Sequence, residues 1–184
     1  MMTKAEIRKI NKEKRKLMTE AEVKEKSLAI AKTFLDSEIY KNAKTIMVYM
    51  PIGNEVDTKE IIASALSDGK RIIVPVTDAK TGEITPCEIN ENTAFEKGAF
   101  SVFEPVEKVP ADPPQIDVVL VPGIAFDKKG GRIGFGKGCY DRFLKKMEAF
   151  KIGLCYDFQL CDEIEAESHD IKMDFVITEK VNSI

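Results

Sequence analysis

The sequence predicts an α/β fold, specifically a three-layer α/β/α sandwich with a mostly parallel central sheet. Three observations lead to this prediction. First, β-rich blocks alternate with stretches of helical spacing, as in sheets that carry helices on both faces. Second, residues 117–121 consist of an aspartate followed by four apolar residues in a row, and such an unbroken apolar run is typical of a strand covered on both faces. Third, a glycine-rich loop follows this run, and ligands of open α/β sheets bind where the strands end.

The N-terminal part of the chain predicts two helices. Residues 3–6 and 19–22 both have the form of a capping box, in which a threonine and a glutamate three residues later each accept the other's backbone N–H. After the second box, apolar and small residues recur at helical spacing and predict one buried stripe. The stripe consists of Val23, Ser27, Ile30, Ala31 and Phe34.

A strand–helix–strand unit follows these helices. Residues 45–50 are rich in residues that favour β-strands and are followed by Pro51, so they predict a buried strand. Asp57 is expected to cap a helix that Gly69 closes, and residues 71–76 predict the next strand. Strands joined through a helix pair in parallel, so this unit is expected to be a βαβ crossover.

The rest of the chain predicts further strands of the same sheet. Residues 84–88 are expected at the sheet margin, and residues 151–156 and 175–178 predict two more strands. Residues 105–114 contain four of the eight prolines and are expected to form an extended surface connection. The segments on either side are too short for two separate cores, so residues 1–184 are expected to form one domain.

The composition argues against several classes of function. A formal net charge of -3 offers no surplus of Lys and Arg for a nucleic-acid backbone. No apolar run approaches the ~18 residues that cross a bilayer, and residues 1–16 lack the apolar core of a secretory signal. The 4 cysteines form no C-x-x-C pair and are expected to be reduced thiols. We therefore expect a cytoplasmic protein that binds small molecules and has neither nucleic-acid nor membrane partners. A monomer is the favoured oligomeric state.

Residues 130–144 are predicted to form a phosphate-binding loop that runs into a helix. Glycines permit positive φ and let a ligand approach the backbone, so that successive N–H groups can surround an anion. Arg132 and Lys137 can place full charges on phosphate oxygens, and the helix N-terminus would add a partial positive charge. The helix is expected to bury one face, formed by Tyr140, Phe143, Leu144 and Met147.

The loop differs from two common nucleotide-binding motifs. The Walker pattern G-x-x-x-x-G-K-[ST] can start at Gly131 but fails at Gly138, where a hydroxyl should bind Mg²⁺. The dinucleotide pattern G-x-G-x-x-G can start at Gly134 but fails at Cys139. A glycine-rich turn without a ligand is the alternative interpretation. The basic residues, the preceding strand and the following helix favour phosphate binding.

With this loop and its continuation through Tyr140, Asp141 and Arg142, the sequence resembles the 5-formyltetrahydrofolate cyclo-ligase family, also called 5,10-methenyltetrahydrofolate synthetases. The resemblance spans nearly the whole chain. It includes the first helix with Lys4 and Arg8 and residues 50–55, 98–105, 121–127 and 169–174. One departure is Cys139, at a position where family members commonly carry an aromatic residue.

The resemblance implies a reaction that consumes ATP and requires Mg²⁺. It converts 5-formyltetrahydrofolate to 5,10-methenyltetrahydrofolate and releases ADP and phosphate. A formamide oxygen is a poor leaving group, so transfer of the γ-phosphoryl group to that oxygen would give an iminium phosphate. Attack by N10 can then expel phosphate. The protein would mainly position the reactants and neutralise charge.

The resemblance also implies the site residues. The implied ATP-binding residues are Lys4, Arg8, Arg132, Gly134, Gly136, Lys137, Gly138 and Tyr140. The implied substrate-binding residues are Glu55 and Met50, which would provide a hydrogen-bond acceptor for the pterin and an apolar wall. Phe135, at a position that varies in the family, is a further substrate-binding candidate whose ring could stack on the flat pterin. The implied Mg²⁺ ligands are Asp141 and Asp174.

Each of these residues has an ordinary structural interpretation as well. Lys4 and Arg8 share a helix face and would otherwise be a solvated basic surface. Asp141 would otherwise be a first-turn acid that the helix dipole stabilises. Glu55 and Met50 would be an exposed loop acid and a core methionine.

Two other functions stay open from the residues alone. The first is an enzyme that acts on sugar phosphates or CoA esters without ATP. The basic pair Lys4 and Arg8 and the acidic pair Asp141 and Asp174 argue against it. The second is a nucleotide-sensing or RNA-associated binding module, against which the net charge argues. Residues 168–170 read Ser-His-Asp but do not indicate a catalytic triad, because triad members are rarely consecutive and the chain has no G-x-S-x-G elbow.

Overall fold

The computed structural model describes residues 2–181 and 184 of the chain. Its helices are α1 (Lys4–Lys16), α2 (Glu20–Leu35), α3 (Glu38–Asn42), α4 (Lys59–Ser67) and α5 (Cys139–Leu144). Its strands are β1 (Thr45–Val48), β2 (Arg71–Thr77), β3 (Ile84–Ile89), β4 (Phe95–Lys97), β5 (Phe103–Pro105), β6 (Val118–Val121), β7 (Ala125–Asp127), β8 (Arg132–Ile133), β9 (Phe150–Leu154), β10 (Leu160–Cys161) and β11 (Phe175–Ile177).

The main sheet confirms the predicted fold class. Its strand order is β11-β9-β6-β1-β2-β3. All neighbours pair in parallel except β2 and β3, which pair antiparallel at the margin. The predicted βαβ unit is present as β1, α4 and β2. The apolar run of β6 lies between β9 and β1 and is fully buried, as a central strand requires.

Alternation along the strands builds two apolar layers, one on each face of the sheet. Ile46 and Val48 of β1 belong to a cluster that contains residues of α2 and α4. Met47, between them, belongs to a second cluster with Phe143 and Leu144 of α5. Because neighbouring side chains of a strand point to opposite faces, helices cover both sides of the sheet. This is the three-layer sandwich.

The first two helices begin at the predicted residues. Thr3 and Thr19 each accept the N–H of the glutamate three residues later, and each glutamate accepts the threonine's N–H in return. Both capping boxes are therefore confirmed. At α4 the N-cap residue is Thr58 and not the predicted Asp57, although the carboxylate of Asp57 accepts the N–H of Lys59, the first residue of the helix.

The prediction that residues 130–144 form one loop and one helix is wrong in two respects. Residues 125–133 form the hairpin β7–β8, and a small second sheet has the order β10-β7-β8. Gly130, with φ of 84°, belongs to the turn of this hairpin, so β8 separates it from residues 134–138. The helix is also shorter than predicted, because it ends at Leu144, while Met147 is buried beyond its end.

The carboxylate of Asp127 explains why the hairpin forms. It is 2% exposed and accepts the N–H groups of Lys129, Gly131 and Ile164 at 2.7–2.8 Å. The N–H groups of Gly131 and Ile164, which would otherwise be buried without partners, are thereby satisfied. The carboxylate fixes the turn and also joins it to a segment more than thirty residues later.

Two further elements have no counterpart in the sequence prediction. One is α3, which Ser37 caps by accepting the N–H of Tyr40. The other is the hairpin β4–β5, whose connection holds Phe100 at φ of 56°. Among residues 2–181 and 184, no helix is long and apolar enough to span a membrane.

Candidate active site

A cavity of about 460 Å³ lies at the carboxyl ends of β1, β2 and β6. Helix α1 and residues 134–138, which we call the glycine loop, form its other walls. All of the sequence-predicted site residues except Asp174 line this cavity. Its volume is within the range of small-molecule sites.

The first turns of α1 contribute two cations to the cavity wall. The ammonium of Lys4 donates to Asp170 at 2.8 Å and to Glu167 at 2.9 Å. Burial lowers the pKa of Lys4, but the hydrogen bonds to the two carboxylates and the attraction of their charges together outweigh it and leave the pKa above its ordinary value. Arg8 donates from Nε to the carbonyl of Gly134 at 2.9 Å, which leaves its terminal nitrogens for a ligand.

The glycine loop has the backbone that an anion site needs. Gly136 and Gly138 adopt φ of 97° and 64°, a region that costs L-residues with a Cβ about 1 kcal/mol or more. Between them, the ammonium of Lys137 lies 3.6 Å from the centre of the Phe100 ring. Arg142 donates to the carbonyl of Lys137 at 2.9 Å and anchors the loop to α5. With six residues, α5 adds little dipole, so side-chain charge dominates this wall.

Arg132 and Asp141 form a shielded ion pair beside the loop. Their Nη2 and Oδ2 atoms are 3.0 Å apart, and the side chains are 5% and 18% exposed. Arg132 also donates to the carbonyl of Pro122 at 3.2 Å, and Asp141 accepts the N–H of Ile171 at 3.2 Å. Within the part of the chain that the structure describes, the buried Nε of Arg132 has no hydrogen-bond partner. This N–H is therefore available to a bound anion.

Glu55 is a buried carboxylate at the other end of the cavity. Oε2 accepts the N–H of Ile52 at 2.9 Å, whereas Oε1 is buried and has no hydrogen-bond partner among the described residues. Burial raises the pKa of Glu55, and the nearby charge of Arg15 opposes the rise. Glu55 is therefore not the exposed loop acid of the alternative interpretation but a desolvated acceptor that borders the cavity.

The apolar part of the wall includes Met50 and Phe135. Met50 follows β1 and is half-buried, and it packs against the first apolar layer. Phe135 is 46% exposed, with the Lys12 ammonium 5.4 Å and the Arg15 guanidinium 5.9 Å from its ring centre. An exposed ring at a cavity rim can cover a flat ligand.

Asp174 lies away from the cavity. It precedes β11, and its carboxylate accepts the N–H of Lys151, at the start of β9, at 2.7 Å. Both residues are at the amino ends of parallel strands, whereas the cavity is at the carboxyl ends. The structure therefore does not bring Asp174 together with Asp141. In residues 2–181 and 184, no group of three or more His, Cys, Asp or Glu side chains is arranged to hold a metal ion.

Sequence reasoning missed three residues that shape the site. Arg15 lies on the face of α1 that carries Lys4 and Arg8, and the spacing of 4, 8 and 15 was a usable signal for it. Glu167 and Asp170 hold Lys4, and nothing local in the sequence indicates this pairing. Asp170 belongs to the Ser-His-Asp run, but its role here is to bind Lys4.

Comparisons with known proteins agree with the geometry. A sequence model of the 5-formyltetrahydrofolate cyclo-ligase family matches residues 1–179. The chain is 33% identical over 146 residues to a 5-formyltetrahydrofolate cyclo-ligase of Mycolicibacterium smegmatis, covering 76% of this chain and 75% of that protein. The NMR structure of Aquifex aeolicus 5,10-methenyltetrahydrofolate synthetase has a TM-score of 0.86 at 34% identity and covers 98% of this chain and 91% of that one. A 5,10-methenyltetrahydrofolate synthetase from Mycoplasma pneumoniae has a TM-score of 0.80 at 28% identity, covering 97% and 100%.

Proposed function

Since the chain belongs to the 5-formyltetrahydrofolate cyclo-ligase family, we propose that it converts 5-formyltetrahydrofolate to 5,10-methenyltetrahydrofolate at the expense of ATP and with Mg²⁺. One observation carries the proposal beyond the family match. A single cavity has a cationic wall around the glycine loop and a buried acceptor, Glu55, at its other end. Such a cavity suits one polyanionic substrate and one flat substrate with N–H donors.

In this proposal the glycine loop and its cations bind the triphosphate. Arg8, Arg132 and Lys137 offer N–H groups and full charges to phosphate oxygens, and the positive-φ glycines let the backbone approach. The γ-phosphoryl group passes to the formyl oxygen. These cations offset the charge that accumulates on the transferred group, which is the main task of the protein in phosphoryl transfer.

The other end of the cavity orients the folate. The free oxygen Oε1 of Glu55 accepts an N–H of the pterin, while Met50 and Phe135 contact its faces. Held in this way, N10 is close to the activated formyl carbon and attacks it; the bond from that carbon to the phosphate oxygen breaks, and the N10 proton leaves with the departing phosphate. Because N10 and the formyl group belong to the same molecule, the task of the protein in this step is to hold the folate in the conformer in which the two groups meet.

The residues fit Mg²⁺ as an ion that is shared with phosphate. Asp141 is a carboxylate beside the glycine loop, and Mg²⁺ is commonly held by one or two carboxylates together with substrate phosphates. Its Oδ2 atom pairs with Arg132, so the two groups would share the same phosphates and ion. When bound, Mg²⁺ would neutralise phosphate charge. Asp174 is not part of the site that we propose.

A direct assay tests the proposal. Purified protein is mixed with 5-formyltetrahydrofolate and MgATP, and the near-ultraviolet absorbance of the methenyl product is followed. We expect product to form with release of one ADP and one phosphate for each turnover. Absence of product, or product formed equally well without ATP, would contradict the proposal.

A substitution at Asp141 tests the metal assignment. We expect Asp141→Asn to raise the Mg²⁺ concentration for half-maximal activity by about tenfold or more, because the amide lacks the charge that holds the ion. The amide oxygen can still accept from Arg132, but the buried guanidinium loses its counter-charge, so we expect the variant to unfold at a lower temperature. Titration of Mg²⁺ at saturating ATP measures the effect.

Asp174→Asn is the informative comparison, since it changes the same residue type at the opposite edge of the sheet. We expect its Mg²⁺ dependence to match that of the unsubstituted chain. A shift for Asp174→Asn but none for Asp141→Asn would reverse the assignment.

Four expectations from the sequence stay predictions. They are the single domain over residues 1–184, the cytoplasmic location, the monomeric state and the lack of nucleic-acid and membrane partners.

A further inference from the structure

Arg15 is a buried cation in the last turn of α1, on the helix face that it shares with Arg8. Its side chain is 10% exposed, and Nη1 lies 3.8 Å from Oε1 of Glu55. The same nitrogen donates to the carbonyl of Gly123 at 3.4 Å, and the guanidinium carbon is 5.9 Å from the centre of the Phe135 ring. One side chain therefore lies next to both the buried acceptor and the exposed ring.

The distance between Arg15 and Glu55 is the informative quantity. At 3.8 Å the guanidinium attracts the carboxylate but is too far away to donate a hydrogen bond to Oε1. Oε1 consequently keeps its lone pairs free: it is buried, and it has no hydrogen-bond partner among the described residues. A buried acceptor without a donor is costly, and a ligand N–H would remove that cost.

The backbone around this pair is also fixed. Asn54 donates from Nδ2 to the carbonyls of Arg15 and Met18, at 2.8 and 3.1 Å, and so attaches the loop before Glu55 to the end of α1. Tyr156 donates to the carbonyl of Glu55 at 3.2 Å. The relative position of the guanidinium and the carboxylate is thus determined by contacts on both sides.

We propose that Arg15 is a positioning residue for the folate substrate: it holds the Glu55 carboxylate charged and aimed into the cavity, and it supports Phe135. The proposal rests on the folate-binding role that we propose for Glu55. Arg15 need not contact the substrate itself, since it acts through its two neighbours.

The other groups that face Glu55 leave this task to Arg15. They are the phenols of Tyr49 and Tyr140 and the hydroxyl of Tyr156. Burial raises the pKa of each of these phenols, so all three are neutral near pH 7. Burial also favours the uncharged form of Glu55, and the charge of Arg15 opposes it.

Arg15→Met tests the proposal, with Lys16→Met as the matched control. Lys16 is the next residue of the same helix turn, carries the same charge and is 72% exposed. We expect Arg15→Met to raise the KM for 5-formyltetrahydrofolate by about tenfold at pH 7.5, and to leave the KM for MgATP within about twofold. Lys16→Met should change neither value.

The pH profile supplies a readout that a merely structural role would not move. Binding through a charged Glu55 is lost as the pH falls through its pKa. Removing Arg15 raises that pKa, so the acid limb of kcat/KM for the folate should move to higher pH by about one unit or more. Arg15→Lys keeps the charge and should return the limb towards its original position.

Three results would overturn the proposal. The first is an equal rise in both KM values with an unchanged pH profile, which would indicate a general packing defect. The second is a shifted limb that persists when Glu55→Gln is combined with Arg15→Met, since the shift would then not come from Glu55. The third is wild-type behaviour of Arg15→Met.

Two further measurements keep the test decisive. If Arg15→Met does not fold, as judged by thermal unfolding, Arg15→Gln removes the charge while keeping a polar group near Gly123. The unsubstituted chain separates this proposal from the function itself. If it forms no methenyl product, the proposed function has failed, whereas an active chain with an unaffected Arg15→Met rejects the positioning role alone.

Discussion

Arg132→Met is expected to lower kcat/KM for cyclisation by about a thousandfold. The substitution removes the buried guanidinium beside the glycine loop, including its Nε, which has no hydrogen-bond partner among the described residues. It also leaves Asp141 without its cation, and breaking a shielded pair in this way costs about 3 kcal/mol of stability. Steady-state kinetics and chemical unfolding measure the two effects separately.

Two variants separate the role of Arg132 in phosphate binding from its role in folding. Lys129→Met removes an exposed ion pair with Glu163 from the same hairpin, and we expect little change in stability and unchanged kinetics. The double variant Arg132→Met with Asp141→Asn eliminates the unpaired charge and should recover much of the stability without recovering activity. Recovery of both, or a loss in kcat/KM below about tenfold, would contradict a direct role in phosphate binding.

Gly130→Ala is expected to lower the free energy of unfolding by about 3 kcal/mol or more. Gly130 has a φ of 84°, and a Cβ there would lie 2.2 Å from the carbonyl oxygen of Met173. The obstacle is backbone and is itself fixed, because Met173 donates its N–H to the carbonyl of Gly130 at 2.8 Å. The new methyl group therefore cannot be accommodated by rotation of a flexible side chain.

Gly69→Ala separates backbone strain from steric overlap. Gly69 follows α4 with a φ of 73°, and a Cβ there meets nothing within 4 Å. We expect it to cost about 1 kcal/mol, so the difference between the two variants reports the clash. Equal unfolding energies would contradict the close contact with Met173. If folded Gly130→Ala protein instead showed a selective rise in the KM for ATP, the original assignment of Gly130 to the phosphate loop would be restored.

Local signals in the sequence were sufficient for the framework of the fold. The capping boxes at Thr3 and Thr19 fix where the first helices begin, and the apolar run of β6 identifies the central strand. The β7–β8 hairpin was missed because its strands have three and two residues, too few for periodicity to show. Its stabilising contact, from Asp127 to Ile164, joins residues that are distant in sequence.

The site shows the same division between local and distant information. The glycine loop and the cations of α1 could be identified because charge, glycine spacing and the family resemblance all coincide there. The position of Asp174 could have been deduced as well. A residue that precedes a parallel strand lies at the opposite edge from one that follows it, and Glu55 follows β1. The partners of Lys4 could not be deduced, because Glu167 and Asp170 lie in an irregular segment without a pattern.

The contact between Lys4 and Asp170 has a consequence for how the molecule assembles. These residues are 166 positions apart, and Arg8 and Gly134 are 126 positions apart. Contacts of such long range form slowly, since most of the intervening chain must be ordered before they become favourable. During synthesis α1 leaves the ribosome well before residues near position 170, and it cannot complete the cavity until they have emerged. The cavity wall around Lys4 therefore forms long after its helix has been made.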